Sequence, residues 1–149
     1  MSTNGAGRPI GVLVIDPVGQ IFARLSGAIF DLPLWRIPHG EKIGDLAGIG
    51  LIVYAAYEKP DWSAVKELEA RAPTVVVTMQ QDPDCARQAI ALGAFGCLGT
   101  SLSPAALRRA IAGALRGEPA FPRDVLGEWI KRNGHHAPRP STAIPLTPR

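Results

Sequence analysis

Five short apolar runs recur along the chain: "IGVLVID" (10–16), "LWRI" (34–37), "LIVYAA" (51–56), "PTVVVTM" (73–79) and "AFGCLGT" (94–100). The first and fourth are β-branched and almost unbroken by polar residues, the pattern of strands covered on both faces in a parallel sheet. Between the runs the period changes to that of helices. "PVGQIFARLSGAIF" sets Ile21, Leu25 and Ala28 or Ile29 on one stripe, with Arg24 outside it. "DWSAVKELEARA" reads as a helix capped by Asp61 with Trp62, Val65 and Leu68 inward. "DPDCARQAIALG" has Asp82 to cap it, Pro83 at its first position and Gly93 to stop it. "SPAALRRAIAGALRGE" opens on Ser103 and Pro104 and carries Leu107, Ala110, Ile111, Ala114 and Leu115 on one face, with Arg108, Arg109 and Arg116 mostly outward. "PHGEKIGDLAGIG", after the second run, is too glycine-rich for more than a weak helical turn. Strand and helix thus alternate through short connections, which predicts an α/β, doubly wound, five-stranded parallel sheet with helices on both faces.

After Gly117 the pattern changes. "PRDVLGEWIKRNG" predicts one more amphipathic helix with Val125, Leu126, Trp129 and Ile130 as its apolar side. From His135 onward "HHAPRPSTAIPLTPR" holds four prolines and no periodicity, the composition of an extended linker. At 149 residues the chain has room for a single core. The expected organisation is a flexible lead (1–8), one domain (9–120), a linker helix (121–133) and a Pro-rich linker (134–149).

Charge narrows the function. The net charge is +3, but residues 1–119 hold eleven basic and eleven acidic residues, so the excess lies in the tail. A domain that binds DNA concentrates positive charge on a folded face; this one is not expected to bind DNA by itself. Cys85 and Cys97 stand twelve apart with no CxxC and no histidine pair nearby, which points to reduced thiols and no zinc site. "MSTNGAGRPIG" lacks the apolar run of a signal peptide, and no apolar stretch approaches the ~20 residues of a membrane span. A cytoplasmic protein without membrane partners is expected. "GAGRPIG" precedes the first strand and has the wrong glycine spacing for a dinucleotide fingerprint. His135 and His136 fall in the linker and His39 has no evident partner, so no nucleophile and base pair emerges and no enzyme is expected.

The stretch "PTVVVTMQQDPDCARQAIALGAFGCLGTSLSPAALRRAIAGALRGEPAFP" (73–122) resembles the second half of a response-regulator receiver domain. It has a strand ending in Thr, a helix ending in "ALGAFG", a short strand, a Ser-Pro-capped helix and a "GEPAFP" exit. The resemblance covers residues 9–120 and is strongest from 73 on. It implies the flavodoxin-like strand order 2-1-3-4-5. The exit and the closing "PLTPR" are similar to the NarL/LuxR-type branch, in which a linker leads into a helix-turn-helix domain opening with "LTPRE". By that likeness DNA is reached only through a C-terminal domain that would follow Arg149, and the chain is expected to be part of a longer regulator.

The resemblance also implies a pocket at the carboxyl edge of the sheet. Two acidic residues after the first strand and an acceptor Asp ending the third hold Mg²⁺, while a Thr or Ser after the fourth strand and a Lys after the fifth contact the phosphoryl group. Hard Mg²⁺ requires carboxylate oxygens and the Lys offsets phosphoryl charge. In this chain Asp16 matches the first acid and Pro17 stands at the second. The acceptor position falls on Ala55 by strand register or on Ala56 counting back from Pro60. Thr78 is retained, Thr100 stands at the Lys position, and Cys97 replaces the usual aromatic behind the Thr. The expected residual pocket is therefore Asp16, Pro17, Thr78 and Thr100, with no metal and no cofactor. Asp16 is read as a cap of the following helix before a cation ligand. Glu58 and Asp61 are too far along the loop to replace the missing carboxylates, and Tyr54 and Tyr57, flanking the alanines, fill the space or recognise a small ligand.

The expected function is that of a degenerate, phosphorylation-independent receiver of a two-component transcription regulator. It acts by dimerisation or by contact with another regulatory protein, with Leu107, Arg108, Arg109, Ile111 and Leu115 as the candidate interface. The alternative is a sensor that binds a small molecule in the vacated pocket.

Overall fold

The computed structural model describes residues 11–26, 33–39, 48–79 and 83–122, and beyond them residues 125, 127, 130 and 131. Chain order is β1 (Gly11–Ile15), α1 (Gln20–Ser26), β2 (Leu34–Ile37), β3 (Ile49–Ala56), α2 (Trp62–Glu69), β4 (Thr74–Thr78), α3 (Pro83–Leu92), β5 (Gly96–Gly99) and α4 (Pro104–Leu115). The strands form one sheet in the order β2-β1-β3-β4-β5. All neighbours pair in parallel, with Ile15 opposite Tyr54 and Ala56 opposite Thr78 at the carboxyl edge. This is the predicted flavodoxin-like sheet.

The period of two along each strand divides the core into two faces. On one, Val12, Val14, Leu51, Val53, Val75, Val77 and Leu98 pack against Ile21 and Leu25 of α1 and Leu107, Ile111 and Ala114 of α4. On the other, Ala56, Val76 and Cys97 meet Val65, Ala86 and Ala89, while Ile15 and Ile52 meet Leu68. Each fully buried Val, Leu or Ile contributes about 1.5–3 kcal/mol relative to exposure, so the nearly continuous apolar runs of β1 and β4 are what two covered faces require.

The caps lie where the polar residues interrupt the pattern. Asp61 Oδ1 accepts from Ala64 N (3.2 Å) to start α2. Ser103 Oγ accepts from Ala106 N (3.1 Å), with Pro104 opening α4. Gly93, at φ +94°, ends α3. Val65 and Leu68 of α2 are buried as predicted, and Trp62 is half-buried. On α4 the predicted apolar face divides: Leu107, Ile111 and Ala114 are buried, but Ala110 and Leu115 are half-buried. Arg108, predicted outward, is also half-buried, because its Nη1 donates to the Arg24 carbonyl at the end of α1 (3.0 Å). Ala28, Ile29, Asp82, Leu126, Trp129 and the weak helical turn expected after His39 lie outside the described residues. Among the described residues no helix is long and apolar enough to cross a membrane.

Glu69 ties the end of α2 to the start of β4: its Oε1 accepts from Thr74 N at 2.7 Å. Burial pushes its carboxyl up to about 6 despite the Thr74 and Phe95 N–H groups, which favour the anion. Because the folded value lies above the unfolded one, the native state holds the proton more tightly. Its contribution is present below about 4.5 and is lost as pH rises through about 6. We expect Glu69→Gln to be more stable than the parent by about 1 kcal/mol at pH 7.5, with the gap closing by pH 4, in urea unfolding across that range.

Candidate functional site at the carboxyl edge

Alternation places Asp16, one residue past Ile15, on the α1 side of the sheet, alongside Ala55. Its carboxylate has no solvent exposure. Oδ1 accepts from Val18 N (3.0 Å), Gly19 N (2.7 Å) and the Tyr57 hydroxyl (2.6 Å), and Oδ2 accepts from Phe22 N (2.8 Å). Tyr57 lies two residues past Ala55, on the same face, and its hydroxyl oxygen also accepts from Gln20 N (3.0 Å) and Ile21 N (3.1 Å). Acid and phenol together thus satisfy five successive backbone N–H groups, from Val18 to Phe22. These are donors that a helix start otherwise leaves open. Arg36 Nε, from β2, donates to the Asp16 carbonyl at 2.9 Å.

The electrostatics follow from this arrangement. Burial alone would raise the Asp16 carboxyl, but the Tyr57 hydroxyl and the backbone N–H groups of Gly19, Phe22 and Val18 outweigh it and hold the group below its ordinary value. Burial and the neighbouring carboxylate push the Tyr57 phenol up. At neutral pH the pair is an anion and a neutral donor.

The other predicted site residues are distributed around this pair. Ala55 and Ala56 are each 5 % exposed and point to opposite faces, Ala55 into the α1–α4 core and Ala56 towards α2 and α3. Thr78 is buried opposite Ala56, and its carbonyl accepts from the N–H of half-exposed Thr100 at 3.0 Å. Pro17 is exposed. The two tyrosines do not share a site: Tyr57 serves Asp16 on the α1 face, whereas Tyr54 lies on the α2 face, with Asp61 N 3.4 Å from its hydroxyl. Glu58 is exposed, and Asp61 caps α2 on the side of the sheet away from Asp16.

A cleft of about 550 Å³ opens on the α2 face. Ile15, Tyr54 and Leu68 give it an apolar floor, Pro17 and His39 stand at its rim, and Asp61, Glu67 and Arg71 come from α2 and its two flanks. His39, Glu67 and Arg71 were not recognisable as site residues in the sequence. The α2 residues fall on one helical stripe with Asp61, but nothing marked that stripe as facing a cleft.

Among the described residues no group of three His, Cys, Asp or Glu side chains converges to hold a metal ion. The receiver-type Mg²⁺ site does not fit this edge: Asp16 is enclosed with three donors on one oxygen and one on the other, and neither Pro17 nor either alanine offers a carboxylate.

The fold is that of response-regulator receiver domains. The chain is similar to the response regulator ChrA of a heme-sensing two-component system, at 20 % identity and a TM-score of 0.61 over 84 % of this chain and 66 % of that one. It is likewise similar to a LuxR-family DNA-binding response regulator from Silicibacter pomeroyi, at 20 % identity and a TM-score of 0.59 over 77 % of this chain and 98 % of that one. A LuxR-family two-component response regulator from Aurantimonas sp. SI85-9A1 gives 19 % identity and 0.58, over 84 % and 98 %. No family model matches the sequence. No curated protein matches it either.

Tyr57→Phe removes one donor from the buried Asp16 and strands the N–H groups of Gln20 and Ile21. The expected loss is about 1–3 kcal/mol in urea unfolding, with the acid limb of the stability curve moved to higher pH. The sign follows from Asp16: its depressed folded value stabilises the fold above the unfolded value of 3.8, and that stability is lost as pH falls through the folded one.

Proposed function

We propose that this chain is a receiver-like regulatory domain that signals through protein contacts without phosphoryl transfer. One observation carries the reading: the only acid at the end of β1 is enclosed and bound by Tyr57 and the start of α1, where a metal would have to reach it. With alanine at both acceptor registers, an aspartyl phosphate has no atom on which to form. In a switching receiver, phosphorylation shifts a two-state equilibrium by differential stabilisation. Here the Tyr57–Asp16 contact favours one arrangement of the β3–α2 loop permanently. The partner is a second copy or another regulatory protein in the cytoplasm, and DNA is reached through a C-terminal output domain of the LuxR type. Of the five candidate interface residues on α4, Arg109 and parts of Arg108 and Leu115 are open to a partner, whereas Leu107 and Ile111 are fully enclosed.

Sedimentation of the chain with and without Mg²⁺ and beryllofluoride, a mimic of the acyl phosphate, tests this. The expected result is an unchanged mass and shape; a response to beryllofluoride would overturn the reading.

A second reading rests on the cleft. Its volume suits a small molecule, and Pro17, Ala55 and Tyr54, all at or beside the receiver-type pocket, line it. In that case the domain is biased by a ligand with an apolar body against Tyr54 and Leu68 and a polar group at the charged rim. A screen of small aromatic acids and amines by heteronuclear NMR should then shift Tyr54, Ala64 and Leu68, and Ala64→Phe, which narrows the cleft, should abolish the shifts. Absence of shifts at those residues would exclude this second reading for the compounds screened.

A further inference from the structure

The chain does not leave the globule directly after α4. Gly117, at φ +95°, turns it back, and Ala120 forms a parallel bridge with Gly96 of β5. The outer edge of β5 supplies both hydrogen bonds: Cys97 N donates to the Ala120 carbonyl (2.8 Å), and Ala120 N donates to the Phe95 carbonyl (3.1 Å). Beyond the bridge, half-buried Phe121 and Val125, which is 4 % exposed, pack into a trough of Val76, Ala86, Ala89, Ala94 and Cys97. Gly96 permits the approach, since a Cβ there would lie 2.5 Å from the Ala120 carbonyl oxygen and 2.8 Å from its Cβ.

We propose that the β5 edge and the trough beside α3 form a docking surface for an extended apolar segment that runs parallel to β5 and leads into a helix. The chain's own residues 120–122 and Val125 occupy it, and they leave and return while the remaining sheet stays folded. The attachment is local: among the described residues one bridge, its two hydrogen bonds and the side chains of Ala120, Phe121 and Val125 hold the segment. On either side of it Arg116, Gly117, Glu118, Pro119, Gly127, Ile130 and Lys131 are exposed. By contrast β1, β3 and β4 are paired along both edges. Local openings of this kind have free energies below that of global unfolding. The inference deepens the regulatory reading, since release would carry the state of the globule to whatever the segment leads into. The docking itself does not depend on that reading, and the beryllofluoride result leaves the test below unaffected.

Hydrogen exchange and thiol labelling of the full chain provide the test. Under native conditions the Cys97 and Ala120 amides should exchange at least about tenfold faster than those of Val53 and Val76, with little dependence on low urea. Gly96→Ala, which obstructs the bridge, should speed labelling of the Cys97 thiol by about tenfold or more while β3 and β4 remain protected. In Val125→Asp, where the surface is intact but its occupant weakened, a synthetic peptide of residues 117–131 should slow Cys97 labelling again. Exchange of Cys97 as slow as that of Val76, with the same urea dependence, would make the segment a fixed edge and overturn the proposal. A failure of the peptide to protect a still-folded Val125→Asp chain would do the same. Should either variant lose protection throughout β3 and β4, the wild-type exchange pattern alone decides.

Discussion

The hydrogen bond between Tyr57 and Asp16 joins two loops that the sheet alone leaves independent: the β1–α1 turn and the β3–α2 loop. A carboxylate without solvent exposure survives only when its lone pairs are met, because an uncompensated buried charge is far costlier than the hydrogen bonds that replace water. Three backbone donors meet most of that demand and the phenol meets the rest. The same phenol oxygen supplies the acceptor that Gln20 and Ile21 lack. Start of helix, buried acid and loop position are therefore one coupled unit, and changing any member leaves the others unsatisfied.

That unit divides the carboxyl edge chemically. On the α1 face the polar groups are turned on one another and closed to solvent; on the α2 face the edge stays open as the cleft beneath Tyr54. In a receiver the resemblance places both metal-binding acids and the acceptor at this edge. Here alanines end the third strand on both faces, and Asp16 works as a structural cap. The fold does not depend on the chemistry of the edge, because the strands are held by Val, Ile and Leu below the edge and not by the groups at it.

The two edges of the sheet are treated differently as well. An unpaired edge strand presents donors and acceptors that invite another chain. At β5 the exit segment takes them through Ala120, and Gly96 is the residue small enough to let it do so. At β2 Trp35 remains 47 % exposed and leans over Gly11 of β1, where a Cβ would fall 2.1 Å from its ring.

Strand positions and the helix caps at Asp61 and Ser103 were legible in the chain, because period-two and period-3.6 patterns and capping residues act over a few neighbours. The resemblance over residues 9–120, strongest from 73 on, implied the strand order. That alanines stand at the third strand's end was equally plain. What the sequence left open was which way each side chain at the edge points and what it meets. Tyr54 and Tyr57 read as a pair, yet an odd separation across a strand end sends them to opposite faces. Arg108 read as outward, yet a carbonyl of α1, 84 positions away in the chain, draws it inward. Val125 and Ile130 read as the apolar side of one more helix; Val125 is buried beside Cys97 as expected, yet Ile130 is exposed. Local pattern determines which elements form; partners distant in sequence decide what the polar groups at their ends do, because those groups are satisfied only across the assembled fold.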